Sequence, residues 1–135
     1  MVSKSGPHKG RVELFLLGQW GTVCDYDWDF VDAMVVCKEL GYLRAVGAPR
    51  DSAFGAGSGP SWYSHVQCTG SENSVKECRH YGYFGRACPH SQDAGVVCSG
   101  ESLYILFMHA NWMNLYCIYI IQHENLLRIF SGLLK

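Results

Sequence analysis

The chain of 135 residues lacks several features that would assign it to a common class of protein. None of its seven cysteines belongs to a CxxC pair, which argues against zinc ribbons and thioredoxin-like redox sites. Charged residues make up only 17% and the formal net charge is -1, so no general field for nucleic acid is expected. The first ten residues contain no apolar run and do not form a secretory signal.

Six cysteines are grouped between residues 24 and 98, in a part of the chain that is rich in glycine. They are Cys24, Cys37, Cys68, Cys78, Cys88 and Cys98. An even, well-spaced set in a short chain is typical of a disulfide framework, although spacing alone leaves the pairing open. We therefore expect a piece of a longer exported protein, extracellular either as a secreted protein or as the ectodomain of a membrane protein. The alternative is a cytosolic protein with free thiols.

The hydrophobic pattern predicts an α+β domain that opens with a hairpin. Residues 11–17 alternate as a half-buried strand does, with Arg11 and Glu13 on the outer face. A turn at Gly18 leads into a second strand that ends at Cys24. Asp27 or Asp29 can cap a helix whose apolar residues recur every three or four positions up to Gly41.

The remainder of this region predicts short strands and loops. In chain order these are a Gly/Pro/Ser-rich loop over 47–60, a strand over 62–68, a helical turn over 74–77, an aromatic loop over 80–90 and a closing strand over 94–98. We expect a curved antiparallel sheet packed around one main α-helix.

Several motifs in this region resemble one family in their order and spacing. They are Gly10-Arg-Val-Glu13, Gly18-Gln-Trp-Gly-Thr-Val-Cys24, Val35-Val-Cys-Lys-Glu-Leu-Gly41, Phe54-Gly-Ala-Gly-Ser-Gly-Pro60, Val66-Gln-Cys-Thr-Gly70 and Asp93-Ala-Gly-Val-Val-Cys98. This set resembles the scavenger receptor cysteine-rich (SRCR) domain. The resemblance divides the chain into a leader or linker (1–9), the domain (10–98) and a hydrophobic tail (99–135).

The resemblance also implies a disulfide pattern. The family has a six-cysteine group A and an eight-cysteine group B, and the extra pair of group B would fall at His8 and Tyr42. Both positions lack cysteine here, which is typical of group A. The pairing that the family implies is Cys24 with Cys88, Cys37 with Cys98, and Cys68 with Cys78.

The family's typical role implies ligand binding without catalysis. We expect a module of a scavenger-type receptor that recognises polyanionic or microbial surface ligands, or a protein partner, and that is multivalent in its parent protein. An alternative is an accessory module of an extracellular enzyme of the serine protease or lysyl oxidase type. A third hypothesis, a stand-alone redox or metal enzyme, requires free thiols, and His65, His80 and His90 do not have the spacing of metal ligands.

Four arginines are candidates for contact with anions, because the planar guanidinium binds sulfate, phosphate or carboxylate in a two-pronged way. They are Arg44, Arg50, Arg79 and Arg86. The alternative is that they are scattered charges that serve solubility.

Calcium binding is a weaker expectation, because a hard cation needs several converging carboxylates. Of two acidic clusters that the family implies, this chain keeps only Asp25 of the first and Glu72 of the second. Tyr26 and Gln92 occupy the other positions of the first cluster, and Ser64, His65 and Ser71 those of the second. We therefore expect no cofactor, and we expect the acidic residues between 25 and 32 to be solvated turn and helix-start residues.

The tail from 102 to 122 carries no acidic or basic residue apart from His109 and is long enough to span a bilayer. It also contains Asn111 and Asn114, which are costly in hydrocarbon. A membrane segment, a segment that covers the core and a non-native extension are all open interpretations, and Cys117 has no assigned role. Membrane attachment is expected only if this tail or the parent chain provides it.

Overall fold

The structure is a computed structural model that describes residues 8–82 and 88–99, together with the backbone of Leu127–Phe130. Its elements are, in chain order, β1 (Lys9–Leu16), β2 (Gln19–Val23), α1 (Phe30–Glu39), β3 (Arg44–Gly47), β4 (Ser61–Gln67), β5 (Arg79–Tyr81), β6 (Gly95–Ser99) and β7 (Leu127–Phe130). Single turns of 3-10 helix lie at Val75–Glu77 and His90–Gln92. The predicted α+β class with one main helix is confirmed.

The strands form one sheet in the order β3-β6-β1-β2-β4-β5, and β7 pairs with β1. All pairs are antiparallel except β2 with β4, which run parallel. The sheet is therefore mixed, and the expectation of a purely antiparallel sheet is wrong at this pair. A parallel pair needs a long crossover connection, and here α1, β3 and the Gly/Pro/Ser-rich loop provide it.

Helix α1 begins where the sequence predicts it. The Asp29 side chain accepts a hydrogen bond from the Asp32 N–H at 3.0 Å, and the Asp32 side chain accepts one from the Asp29 N–H at 2.8 Å. This reciprocal capping box satisfies backbone donors that the first turn leaves without a partner. The helix ends before Gly41, whose φ of 89° is a left-handed conformation that favours glycine.

The core lies between α1 and the concave side of the sheet. Its fully buried side chains are chiefly aliphatic, with one tryptophan: Val12, Leu14, Val23, Trp28, Val35, Val36, Val66, Val75 and Val96. Trp28 fits in this core because its indole N–H donates to the Gly95 carbonyl at 2.9 Å. Phe30, an apolar residue of α1, is 50% exposed, because it occupies the first position of the helix, away from the core.

The outer face of β1 differs from its prediction. Arg11 and Glu13 are only 8% and 5% exposed, although their alternation with apolar residues predicted a solvated face. The Gly/Pro/Ser-rich loop covers them, and the Arg11 Nη1 donates to the Gly55 carbonyl at 2.9 Å. A Cβ atom at Gly57 would lie 2.5 Å from the Thr22 Cγ2 and 2.9 Å from the Arg11 Nε, so this close approach requires glycine.

Candidate functional site

Three disulfide bonds connect the elements, and they join the pairs that the family resemblance implied. Cys24 bonds Cys88, Cys37 on α1 bonds Cys98 on β6, and Cys68 bonds Cys78. The first two bridges close long stretches of chain, with sequence separations of 64 and 61, whereas the third closes 10. Because these sulfurs are all bonded, none of the six cysteines offers a thiolate for catalysis or metal binding.

The candidate anion-binding arginines do not form one group on the described surface. Arg44 is exposed on β3 and Arg79 is exposed on β5, which are the two terminal strands of the sheet order. Arg50 is also exposed, but its Nε and Nη2 both donate to the Trp28 carbonyl, at 2.9 and 2.6 Å. Arg86 lies outside the described residues. Among the described residues, Arg44 and Arg79 are the stronger candidates for direct contact with an anion, and Arg86 stays a prediction.

Asp25, a candidate calcium ligand, is only 2% exposed, and its Oδ2 accepts a hydrogen bond from the Asp51 N–H at 2.6 Å. Asp32 is completely buried, whereas Asp27 and Asp29 are exposed. The expectation of solvated acidic residues is thus wrong for Asp25 and Asp32. Both lie where the chain folds back on itself, so their carboxylates bind backbone N–H groups of distant segments, as Asp32 does with the Cys68 N–H at 2.7 Å.

Glu72, the second candidate calcium ligand, is also engaged in local contacts. The Thr69 hydroxyl donates to its carboxylate at 2.6 Å, and the Thr69 and Gly70 N–H groups donate at 2.8 and 2.9 Å. These hydrogen bonds, led by that of the Thr69 side chain, lower the pKa of Glu72 to about 2. Its Oε atoms lie near the sulfurs of Cys68 and Cys78, but those sulfurs bond each other and are not thiolate ligands.

The Gly/Pro/Ser-rich loop is anchored to the chain segment before β6. The Asp93 Oδ2 accepts from the Gly57 N–H at 2.7 Å, and the Ser52 hydroxyl contacts both the His90 carbonyl and the Asp93 N–H. The ring of His90 lies between two acceptors, with Nε2 2.8 Å from the Gly59 carbonyl and Nδ1 3.1 Å from the Asp93 carboxylate. This loop is thus a fixed part of the surface.

A cluster of two exposed tyrosine rings and one half-buried histidine ring lies on the β4–β5 side of the sheet. His65 on β4 contacts Tyr26, with ring centroids 5.5 Å apart, and Tyr81 on β5, with centroids 5.1 Å apart. Tyr26 is 38% exposed and Tyr81 is 59% exposed. We call these three residues the Tyr–His surface. Beside it, Tyr63 stacks on His80 with centroids 3.7 Å apart.

No motif in the sequence predicted a site at this surface. Tyr26 and His65 stand where the family resemblance implies acidic residues of two separate clusters. The structure shows that these two replaced positions are in ring contact with each other. This contact joins segments 39 residues apart in sequence, and no local pattern predicts it.

Among the residues that the structure describes, no helix is long and apolar enough to cross a membrane. The tail over 102–122 and Cys117 lie outside those residues, so the interpretations of the tail stay predictions.

Comparison with known proteins identifies the family. Residues 2–99 match the family described as "Scavenger receptor cysteine-rich domain". The chain is 48% identical over 99 residues to macrophage scavenger receptor types I and II of Bos taurus, which covers 73% of this chain and 22% of that protein. It is 52% identical over 95 residues to the galectin-3-binding protein of Pongo abelii, covering 70% of this chain and 16% of that protein.

A relative of another kind is lysyl oxidase homolog 3B of Danio rerio, 43% identical over 96 residues, covering 71% of this chain and 12% of that protein. The chain therefore matches only a small part of the length of each of these relatives. Among solved structures, the dimeric form of the SRCR domain of mouse MARCO superposes with a TM-score of 0.62 at 44% identity, covering 67% of this chain and 86% of that one. The chain belongs to the scavenger receptor cysteine-rich family.

Proposed function

We propose that this domain is a non-catalytic recognition module of an extracellular protein and that it binds polyanionic or microbial surface polymers. Its similarity to macrophage scavenger receptor types I and II is the observation that carries this proposal. The galectin-3-binding protein among its relatives supports a protein partner as the other type of ligand. One domain of this size binds a polymer weakly, so the parent protein gains avidity from several copies.

The chemistry of the described surface supports binding rather than catalysis. The six domain cysteines are consumed in disulfides, which removes the nucleophile that a thiol enzyme needs. Arg44 and Arg79 are exposed on different strands, where each can pair with a sulfate, phosphate or carboxylate of a flexible chain. A long polymer can reach both arginines at once, whereas a small anion cannot.

Calcium is not required in this proposal. Asp25 and Glu72 already accept hydrogen bonds from neighbouring groups, which a cation would have to displace. Binding of the polymer is therefore expected to be the same in EDTA as in calcium.

The second candidate function is that of an accessory module in a multidomain extracellular enzyme. The match to 12% of lysyl oxidase homolog 3B favours it, because that relative is named for an oxidase and the matched part is a small share of its length. The two candidates are distinguished by the full-length parent sequence. A catalytic domain beside this module supports the second, and collagen-like or coiled-coil repeats support the first.

The experiment is binding of the whole chain, with its disulfides intact, to immobilised dextran sulfate. We expect binding at low salt that weakens strongly at about 1 M NaCl, where charges are screened within about 3 Å. The variants Arg44→Gln and Arg79→Gln should each weaken binding several-fold. Lys38→Gln, which removes an exposed charge from α1, is the matched control and should leave binding unchanged.

Two results would contradict the proposal. One is no binding of the properly folded chain to dextran sulfate at low salt. The other is binding that the double variant Arg44→Gln/Arg79→Gln retains in full, since the anion contacts would then lie elsewhere.

A further inference from the structure

The Tyr–His surface presents aromatic rings to solvent at an angle to one another. The ring planes of Tyr26 and His65 are inclined by 56°, and those of His65 and Tyr81 by 69°. An edge-to-face contact covers at most one face of one of the two rings, whereas parallel stacking covers a face of both. Tyr81 in particular keeps 59% of its surface exposed, so its ring is open to a ligand.

Two residues of this region have an uncommon backbone conformation. His65 has a φ of 51° and lies where the β4–β5 register shifts between Ser64 and Gln67. Asp27, next to Tyr26, has a φ of 66°. Residues other than glycine adopt left-handed conformations rarely, and such strain concentrates at binding sites, where an irregular strand re-aims a side chain. Here the irregularity places the His65 ring between the two tyrosines.

Planar polar groups border the rings on one side. The Gln67 side chain donates to the Asp27 Oδ2 at 3.2 Å, and both residues are exposed. Arg79 lies opposite Gln67 in the β4–β5 register. Each of these planar groups can bind two neighbouring hydroxyl groups. A carboxylate accepts two hydrogen bonds, a guanidinium donates two, and an amide donates one and accepts one.

From these observations we infer that the Tyr–His surface binds an uncharged sugar ring of a polysaccharide. A pyranose has a face of C–H groups that packs on an aromatic ring and a rim of hydroxyl groups that need planar polar partners. Asp27 and Arg79 have opposite formal charges, which is compatible with a neutral ligand. A protein partner is less suited to this surface, because a specific interface covers about 800 Å² per partner around an apolar centre.

This inference goes beyond the proposed function, because it concerns a neutral ligand and ring residues that the proposed function does not use, although Arg79 lies beside both sites. Contact between uncharged groups is insensitive to salt, whereas the binding of a polyanion to arginine is not. Dextran and dextran sulfate share one sugar backbone and differ in charge. Comparing them therefore distinguishes binding of a neutral sugar at the Tyr–His surface from binding of a polyanion to arginine.

The experiment is native electrophoresis of the whole chain through gels that contain neutral dextran, mannan or laminarin, with nuclear magnetic resonance of the tyrosine rings as a second readout. We expect at least one of these neutral polysaccharides to retard the protein. The retardation should be the same at about 0.1 M and about 1 M NaCl, although screening differs greatly between them.

Three variants test the residues. Tyr81→Ala and His65→Gly should each weaken the apparent affinity at least about tenfold, whereas Tyr81→Phe, which keeps the ring, should stay within about threefold. Glycine accepts a φ of 51°, so His65→Gly removes the ring without cost to the backbone conformation. Phe30→Ala, which deletes an exposed ring of α1, is the matched control and should not change retardation.

The inference is overturned if none of the three neutral polysaccharides retards the folded protein. It is also overturned if Tyr81→Ala and His65→Gly are retarded as strongly as the unsubstituted chain. Either result, obtained with a protein that still binds dextran sulfate, removes the sugar site and leaves the proposed function intact. If dextran sulfate binding is lost while a neutral polysaccharide still retards the protein, the proposed function is wrong and the sugar site stands.

Discussion

At the residue scale, Arg11 shows how one side chain connects the sheet to the loop that covers it. Its Nη2 lies 2.8 Å from the Glu13 carboxylate, its Nε donates to the same oxygen at 2.9 Å, and its Nη1 donates to the Gly55 carbonyl. Both residues of this ion pair are buried. In a buried pair, loss of one partner is costly because the charge of the other stays behind in a low-dielectric environment.

We predict that Arg11→Met lowers the free energy of unfolding by about 3–5 kcal/mol, because Glu13 stays buried without this cation. Urea denaturation with the disulfides intact measures the change. The double variant Arg11→Met/Glu13→Leu should recover a large part of the loss, since it removes the charge that Arg11→Met leaves behind. Equal or greater destabilisation of the double variant would show that the ion pair does not have this role.

The sequence predicted the inner face of β1 and not its outer face. Alternation of apolar and polar residues identified Val12 and Leu14 as core residues, and both are fully buried. The burial of Arg11 depends on a loop more than 40 residues further along the chain. Periodicity reports only how residues of one strand differ from one another, so it cannot show that a distant Gly-rich segment covers the polar side.

At the scale of elements, α1 combines a predictable start with an unpredicted contact. Asp29 as its N-cap follows from local sequence, because a capping residue acts on N–H groups within its own turn. Asp32 also accepts from the Cys68 N–H at 2.7 Å, which fixes the end of β4 to the first turn of the helix. Local sequence does not predict this contact. It also does not predict the parallel β2–β4 pair or the Tyr–His surface, because both form between segments far apart in sequence.

We predict that Asp32 makes stability depend on pH between about 4 and 7. Burial raises the pKa of its carboxyl from the ordinary value of 3.8 to about 6, against the two N–H donors that lower it. The folded chain therefore takes up a proton at a higher pH than the unfolded chain. At pH 7 the buried, ionised Asp32 carboxylate destabilises the folded chain. This cost disappears as the carboxyl takes up its proton, so its contribution to the free energy of unfolding rises by up to about 3 kcal/mol as the pH falls.

The measurement is the free energy of unfolding of the natural chain minus that of Asp32→Asn, followed across this pH range. The difference should move in favour of the natural chain as the pH falls from 7 to 4. Glu72, whose pKa is lowered to about 2, acts in the opposite direction but only below its ordinary value of 4.5. A difference that stays constant, or that falls with falling pH in this window, would contradict the assignment to Asp32.

At the scale of the whole molecule, two of the three disulfides join segments that lie 64 and 61 residues apart in sequence. The Cys37–Cys98 bridge joins α1 to β6, and both of its residues lie in the hydrophobic core. The Cys68–Cys78 bridge closes a stretch between β4 and β5, where Cys78 lies in the core and Cys68 is only partly buried. The two bridges therefore differ both in the length of chain they close and in the packing around them.

We predict that removal of Cys37–Cys98 is more damaging than removal of Cys68–Cys78. On the chain-entropy estimate, a closed loop of 61 residues contributes about 4 kcal/mol to stability, and one of 10 residues about 3 kcal/mol. Cys37→Ala/Cys98→Ala also loses buried sulfur atoms from the core, which adds to its cost. Denaturant midpoints of the two double variants test this order, with dextran sulfate binding to report the surface. A lower midpoint for Cys68→Ala/Cys78→Ala would mean that the segment between β4 and β5, and not the joint between helix and sheet, limits the stability of the domain.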